Sequence, residues 1–303
     1  MASTTTESTQ SVVMVGLPET GKTTYLAAFW YLVERGTSDG ALSLVRLPDV
    51  RKYLEQIKTD WLTFKKPSRT AGTVDSITEN SMRLQVKGQG VEFDLSFPDV
   101  LGEIFREQVE HRYWDLAFTE LLSTASGLVL FVHPLRVKNN PPIASADAVL
   151  EAWMDDGGQD DAEPTQQGAA SGATVDWEPG LMPTQVKLVD LVQTICGYFG
   201  RSQKVKRLAI VISAWDLVEN HGMNPSQWIA RHLPLLDQYL TSNEDRLPYR
   251  VFGVSAQGGD LAADSAKLQA IDDPIARIRV AGIEAAESPK TDLTFPVRWV
   301  LGA

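Results

Sequence analysis

The sequence predicts an α/β protein of three layers, in which helices cover both faces of a mostly parallel sheet with one antiparallel edge hairpin. Three short apolar runs have the nearly continuous hydrophobicity of parallel strands buried on both faces: residues 128–132, 208–212 and 251–254. Stretches with helical spacing separate or follow these runs, at residues 105–122, 185–199, 228–240 and 273–286. Such alternation is typical of a doubly wound sheet.

The first strand and the first helix flank a glycine-containing loop. Residues 12–15 form a short apolar run that predicts the strand, and residues 25–32 continue without a helix breaker. A second helical pattern at residues 47–64 predicts an extra helix before the next strands.

The antiparallel hairpin is predicted by two alternating runs. Apolar residues occupy every second position of 82–86 and of 91–97, with polar residues between them. The glycine-containing segment 87–90 joins the two runs. This pattern favours a hairpin with one face in water.

Two stretches do not fit a packed core. Residues 1–10 are rich in Ser and Thr and predict a disordered tail. Residues 137–183 are rich in Pro, Gly, Ala and acidic side chains, and they predict a disordered acidic insertion that contains Trp153 and Trp177. We therefore expect a single domain over residues 11–303 that this insertion interrupts.

Composition limits the partners. A net charge of −11 disfavours non-specific binding to nucleic acid or to an anionic membrane surface. No apolar stretch is long enough to span a bilayer, and the four histidines lack zinc-ligand spacing. The single Cys196 excludes an internal disulfide and fits a reducing compartment, so we expect a cytoplasmic protein.

The loop between the first strand and helix carries the strongest motif. Residues 16–24 read Gly-Leu-Pro-Glu-Thr-Gly-Lys-Thr-Thr and fit the phosphate-binding pattern G-x-x-x-x-G-K-S/T. Glycines let the backbone N–H groups face a phosphate, the lysine reaches the β- and γ-phosphates, and the hydroxyl that follows ligates Mg²⁺. The predicted phosphate-site residues are Gly16, Pro18, Glu19, Thr20, Gly21, Lys22, Thr23 and Thr24.

Three further motifs follow predicted strands, at the edge where doubly wound sheets bind ligands. Asp99 and Gly102 form a D-x-x-G, in which the carboxylate is placed to hold Mg²⁺ through water and the glycine N–H to contact the γ-phosphate. Residues 213–216, Ser-Ala-Trp-Asp, place Asp216 to read a base, although an aspartate there is also suited to capping the next turn. Residues 255–257, Ser-Ala-Gln, offer backbone N–H groups to a guanine carbonyl.

In order and context, these motifs resemble those of the Ras-like, translation-factor-related class of P-loop GTPases. Residues 16–23 are similar to the first motif of that class, 99–102 to the third, 213–216 to the fourth and 255–257 to the fifth. More loosely, the loop and the Trp-containing helix after it resemble bacterial double-GTPase proteins of conflict systems. The resemblance implies a three-layer P-loop GTPase fold, GTP or GDP and Mg²⁺ as ligands, and a protein effector or partner GTPase.

The resemblance also implies site residues. The implied nucleotide contacts beyond the first loop are Gly102, Ser213, Trp215, Asp216, Ser255, Ala256 and Gln257. The implied metal ligands are Thr23, Asp99 and a switch threonine, for which Thr70 fits slightly better than Thr73. The implied catalytic residues are Lys22, Thr70, Glu103 in place of a water-orienting Gln, and Arg69 either as an arginine finger or as a solvated loop residue.

The sequence predicts an Mg²⁺-dependent GTPase that switches conformation, and it leaves three alternatives. A non-catalytic GTP-binding scaffold results if Glu103 fails to orient water. A P-loop ATPase is the second, because Ser213 and Ala214 replace the usual Asn and Lys of the fourth motif and leave base recognition mainly to Asp216. The third is an interaction module without nucleotide that uses the acidic insertion.

Overall fold

The computed structural model describes residues 10–36, 41–67, 80–97, 111, 116–138, 182–199 and 206–302. Within these ranges, an eight-stranded sheet has the order β2-β3-β4-β1-β5-β6-β7-β8. The strands are β1 Gln10–Gly16, β2 Leu42–Leu44, β3 Ser81–Val86, β4 Glu92–Ser96, β5 Gly127–Val132, β6 Arg207–Ser213, β7 Tyr249–Ser255 and β8 Arg279–Ala281. The helices are α1 Lys22–Arg35, α2 Arg51–Leu62, α3 Leu116–Thr124, α4 Thr184–Phe199, α5 Pro225–His232, α6 Pro234–Ser242, α7 Ser265–Gln269 and α8 Phe295–Leu301.

The centre of the sheet is parallel, as the apolar runs predict. Strands β4, β1, β5, β6 and β7 lie side by side in this order, and each pair of adjacent strands among them is parallel. Every residue of β5 is buried, so the strand is covered on both faces. The parallel pairing brings the carboxyl ends of these strands to one edge of the sheet.

Antiparallel strands lie on either side of this centre. The hairpin of β3 and β4 forms as predicted, with Leu84 opposite Phe93, and Arg83 pairs with Asp94 across it through two hydrogen bonds of 3.0 Å. Two three-residue strands that we did not predict extend the sheet, β2 beside β3 and β8 beside β7. Short strands give too few residues for a pattern to be read from sequence.

Helices pack on both faces and complete three layers. On one face, α1, α2 and α8 pack against inward side chains such as Met14, Phe131 and Phe252. On the other face, α3, α4, α5 and α6 pack against a second set that includes Leu130 and Ile210. The predicted fold class is confirmed.

Two helical predictions need correction. The predicted helix at 273–286 is wrong: residues Pro274–Arg277 form a short 3-10 helix and β8 follows it. Gly282 ends that strand with φ +87°, and a Cβ there would lie 2.6 Å from the carbonyl oxygen of Val251, so the chain must turn away from the helical region. The pattern at 228–240 covers two helices, α5 and α6, because Pro234 begins a new helix without an N–H to continue the first.

The other predicted segments are described in part. Helix α2 lies inside residues 47–64, and α3 covers the end of the pattern at 105–122 and continues to Thr124. Residues 1–9 of the tail and 139–181 of the insertion lie outside the described residues. No helix in the described ranges is both long and apolar enough to cross a bilayer.

Candidate nucleotide-binding site

The loop between β1 and α1 is pressed against the ends of β5 and β6. Gly16 has φ +156°, and a Cβ there would lie 2.8 Å from the carbonyl oxygen of Phe131 and 2.9 Å from Oγ1 of Thr20. Gly21 has φ +83°, and a Cβ there would lie 2.8 Å from both Cβ and Oγ of Ser213. Both conformations and both contacts require glycine, which explains the two fixed glycines of the motif.

Lys22 folds back over this loop. Its Nζ donates to the carbonyl oxygens of Gly16 and Leu17 at 2.8 and 2.9 Å. The buried hydroxyl of Thr20 also donates to the carbonyl oxygen of Leu17, at 2.8 Å. These bonds hold the ammonium group of Lys22 against the backbone of the loop.

The N-terminus of α1 points into the same place. Its N-cap is Gly21, no side chain in the described part of the protein caps its first N–H groups, and its first turn contains no acidic residue. The rest of the helix is fixed by burial, with Ala27, Ala28, Phe29 and Trp30 fully inaccessible. A helix start that carries partial positive charge and uncapped N–H groups is suited to an anion. Thr23 and Thr24 lie half-buried in this turn.

The outer side of the loop meets the segment after β5. Glu19 has φ +57° and forms an ion pair with Arg136, with 2.6 Å between the carboxylate oxygen and Nη2. Pro18 is half-buried beside it. Arg136 belongs to a short 3-10 helix, Pro134–Arg136, that directly follows β5. The pair is largely exposed, so it holds the loop weakly.

His133 lies near both Glu19 of the first loop and Asp216 after β6, and sequence reasoning missed it. Its Nδ1 accepts a hydrogen bond from the N–H of Leu135 at 3.2 Å. Burial and the charge of Arg136 lower the pKa of His133, and the negative charges of Asp216 and Glu19 oppose that shift. The imidazole is therefore neutral at pH 7. A histidine directly after the buried strand 128–132 is the signal that could have identified it.

The fourth and fifth motifs are joined by a side-chain hydrogen bond. Ser255 is fully buried, and its Oγ donates to Oδ1 of Asp216 at 2.5 Å and accepts from the N–H of Gly258 at 3.1 Å. The other oxygen of Asp216 has no hydrogen-bond partner in the described part of the chain. Ser213 is also buried, and its Oγ donates to the carbonyl oxygen of Val132 at 3.2 Å.

Two predicted nucleotide contacts are placed differently from the rest. The ring of Trp215 is 4% exposed and packs on Gly253, where a Cβ would lie 2.3 Å from the indole. Its side chain thus belongs to the core, and only its backbone reaches the edge of the sheet. Ala256 is buried too, and its carbonyl oxygen accepts a hydrogen bond of 3.0 Å from Nε1 of Trp61. Gln257 is half-buried.

The remaining predicted residues lie outside the described ranges: Arg69, Thr70, Thr73, Asp99, Gly102 and Glu103. Among the described residues, no group of three or more His, Cys, Asp or Glu side chains is arranged to hold a metal ion. Thr23 is the predicted metal ligand that the structure describes, and its hydroxyl lies in the uncapped first turn of α1 beside Lys22. A hydroxyl oxygen there suits Mg²⁺ bound to phosphates.

Comparison with solved structures gives distant similarities. The chain is 14% identical to a chain of the signal recognition particle receptor SRb-GTP/SRX complex from Chaetomium thermophilum, over 86% of this chain and 96% of that one, with a TM-score of 0.37. It is 13% identical to the S. cerevisiae Ski7 GTPase-like domain bound to GTP, over 83% of this chain and 43% of that one, with a TM-score of 0.39. The Ski7 domain bound to GDP and inorganic phosphate is also 13% identical, over 97% and 49%, with a TM-score of 0.41. The chain thus spans less than half of each Ski7 chain.

No curated protein matches the sequence. The model of one family, Double-GTPase 1, matches residues 13–300 and so includes the first loop and residues 213–216 and 255–257. A P-loop at the carboxyl edge of a three-layer sheet agrees with that match, and the chain belongs to the Double-GTPase 1 family.

Proposed function

We propose that this protein binds GTP with Mg²⁺, hydrolyses it to GDP and phosphate, and changes conformation between the two nucleotide states. The observation that carries the proposal is the joining of a phosphate loop to a base-reading carboxylate. Gly21 of the loop packs directly against Ser213, and the chain reaches Asp216 three residues later. Phosphates and a base of one nucleotide can therefore be bound together.

Positive charge on the first loop supports the binding of phosphates. The ammonium group of Lys22 and the uncapped start of α1 lie on the same loop. Each favours an anion, and together they suit the β- and γ-phosphates of a nucleoside triphosphate.

The hydrogen-bond donors and acceptors of guanine match the groups at the ends of β6 and β7. Guanine offers two donors, N1–H and the 2-amino group, to a carboxylate such as the open oxygen of Asp216. Its 6-carbonyl accepts, and the N–H of Gln257 has no hydrogen-bond partner within the described residues. Adenine reverses this pattern at its amino group and at N1, so a site with these groups prefers guanine.

Hydrolysis is proposed as in-line attack of water on the γ-phosphorus, with cleavage of its bond to the β–γ bridging oxygen. Lys22 and the loop N–H groups would stabilise the charge that develops on the phosphoryl oxygens. Bound Mg²⁺ would supply further charge neutralisation, with Thr23, Asp99 and Thr70 or Thr73 as its proposed ligands. Glu103 is proposed to orient the water, with Arg69 beside the γ-phosphate.

Titration calorimetry with non-hydrolysable GTP and ATP analogues tests the proposal, together with a phosphate-release assay. We expect GTP to bind at least about tenfold tighter than ATP, because two hydrogen bonds to a carboxylate are lost with adenine. Lys22→Ala should abolish binding, whereas the control Lys52→Ala, on the exposed side of α2, should not change it. Wild-type affinity in Lys22→Ala would contradict the phosphate site.

A non-catalytic GTP-binding scaffold is the second candidate, favoured by Glu103 in place of the usual Gln. A carboxylate accepts a hydrogen bond from water but adds negative charge beside the γ-phosphate. Tight GTP binding without phosphate release by the purified protein would establish this candidate. In either case we propose that the nucleotide state is read by a protein effector or a partner GTPase.

A further inference from the structure

Helix α2 contacts the loop of residues 255–258 at the end of β7, which is proposed to bind the base and is called the base-reading loop below. Trp61, near the end of that helix, is fully buried, and its Nε1 donates to the carbonyl oxygen of Ala256 at 3.0 Å. The two residues are 195 positions apart. The supporting helix belongs to the segment between β2 and β3, outside the set of parallel strands that form the site.

Arg277 packs against Trp61 and against Phe64, which lies just after the end of α2. Its guanidinium lies 4.5 Å from the ring centroid of Trp61 and 4.6 Å from that of Phe64, and the residue is 3% exposed. Its Nη1 is buried with no hydrogen-bond partner in the described chain, and burial lowers its pKa. An arginine keeps its charge even so. The contacts with the two rings offset part of the cost of burying this charge, and they hold the side chain of Arg277 against Trp61 and Phe64.

The backbone of Arg277 packs directly against the base-reading loop. Gly258 has φ +90°, and a Cβ there would lie 2.8 Å from the carbonyl oxygen of Arg277. The N–H of the same Gly258 donates to Ser255, which donates to Asp216. A continuous set of contacts therefore runs from Trp61 on α2, and Phe64 just after it, to the carboxylate proposed to read guanine.

The bond from Trp61 also orients a peptide group. In a trans peptide the C=O and the following N–H point in opposite directions. The carbonyl of Ala256 points at Trp61, so the N–H of Gln257 points away from α2. That N–H is the one without a hydrogen-bond partner in the described residues.

We propose that Trp61 and Arg277 are positioning residues that set guanine recognition, by directing the N–H of Gln257 toward the 6-carbonyl of the base. This inference rests on the proposed GTP site. Neither residue touches the nucleotide; each acts through the loop of residues 255–258. Trp61 fixes the orientation of one peptide, and Arg277 fixes the turn that follows it.

Trp61→Phe tests the inference, because it removes the indole N–H and keeps a ring beside Arg277. Affinities are measured for GDP, for 6-thio-GDP, whose sulfur is a weak acceptor, and for IDP, which lacks the 2-amino group. We expect GDP to bind about tenfold more weakly and 6-thio-GDP to change much less, so that the preference for GDP over 6-thio-GDP shrinks. The preference for GDP over IDP, which reports Asp216, should stay as in the wild type.

Trp30→Phe is the matched control. Trp30 is also fully buried, and its Nε1 donates to Glu55 of α2 at 3.2 Å, away from the base-reading loop. This variant should lower stability while leaving all nucleotide ratios unchanged. Arg277→Lys, which keeps the charge but loses the planar stack, should shrink the same ratio as Trp61→Phe.

The outcomes separate this inference from the proposed function. If wild-type protein binds GDP no better than ADP, the proposed function fails and the inference fails with it. If the wild type prefers GDP and Trp61→Phe keeps the full preference over 6-thio-GDP, the inference alone is overturned. An equal loss for GDP, 6-thio-GDP and IDP also overturns it, because that result indicates general loosening of the site.

Discussion

Ser255 donates a hydrogen bond of 2.5 Å to Asp216, across two adjacent strands of the sheet. The serine is fully buried and uses its hydroxyl twice, since it also accepts from the N–H of Gly258. One carboxylate oxygen of Asp216 is thereby fixed, and the position of the other is set for a ligand. In the proposed GTP site, recognition of the base would therefore depend on Ser255, a side chain that would not itself touch the base.

Ser255→Ala should weaken GDP binding by about tenfold. The change frees the carboxylate of Asp216 to rotate and leaves the buried N–H of Gly258 without its acceptor, each of which has a cost on the order of 1–3 kcal/mol. Calorimetric titration with GDP measures the effect.

Ser288→Ala is a matched control for that variant. Ser288 is also buried and donates to an aspartate, Asp292, at 2.6 Å. Its loss should lower the melting temperature without changing GDP affinity. Equal GDP affinity in Ser255→Ala and Ser288→Ala would show that the Ser255–Asp216 bond has no role in binding.

The flanks of the acidic insertion are held together by three hydrogen bonds, one of which runs from Oγ1 of Thr184 to the carbonyl oxygen of Arg136 at 3.3 Å. The N–H of Lys138 donates to Oγ1 of Thr184 at 2.9 Å, and the N–H of Thr184 donates to the carbonyl oxygen of Lys138 at 2.8 Å. Replacement of residues 140–181 by a short Gly/Ser linker should therefore leave nucleotide affinity unchanged and shift the melting temperature by less than about 4 °C.

The linker variant also tests whether the insertion packs against the core. A large fall in the melting temperature would indicate that Trp153 or Trp177 packs into the core, contrary to the prediction from composition. Thr184→Val in the full-length chain is the control, because it removes the two side-chain hydrogen bonds of Thr184 and keeps its backbone bond to Lys138.

Features that depend on adjacent residues could be predicted from the sequence, whereas features that depend on contacts between distant residues could not. The places of residues 16–24, 213–216 and 255–257 after their strands could be predicted because each depends on a few adjacent residues, with fixed backbone demands as at Gly21. The indole of Trp215 could not be placed, since its burial depends on Gly253 in the next strand. The bond from Trp61 to Ala256 joins two elements far apart in sequence, and no local pattern encodes it.

A pH-dependent contribution to stability is expected from Glu287. Its carboxylate accepts two hydrogen bonds from Arg250, at 2.7 and 2.6 Å, and these, together with one from the N–H of Glu284, lower its pKa from 4.5 to about 2. A lowered folded-state pKa means that the stabilisation is complete above pH 4.5 and is lost as the pH falls toward about 2. Since the pair lies at the surface, the contribution is less than about 1 kcal/mol.

Glu287→Gln should therefore be less stable than the wild type at neutral pH, and the difference should shrink as the solution is acidified. Urea unfolding midpoints between about pH 7 and about pH 3 measure it. Glu284→Gln, which leaves the paired carboxylate and guanidinium intact, is the control. A difference that is constant with pH would mean that packing, and not the charge of Glu287, is responsible.

Asp216→Asn should reduce the preference for GTP over ATP and favour xanthosine triphosphate, whose 2-carbonyl accepts where guanine donates. Capping was the alternative role for Asp216, but the 3-10 helix Trp215–Leu217 begins at Ala214 without a side-chain cap, and the carboxylate accepts from Ser255 instead. An asparagine keeps that bond through its amide oxygen and presents an NH₂ group to the base. Loss of two bonds to a carboxylate should cost at least about tenfold in GTP affinity. ATP affinity serves as the internal control, because the phosphate contacts of Lys22 are unchanged. Competition titrations with the three triphosphates decide the matter: equal ATP and GTP affinity in the wild type would mean that Asp216 does not read guanine and that the protein is a P-loop nucleotidase without base preference.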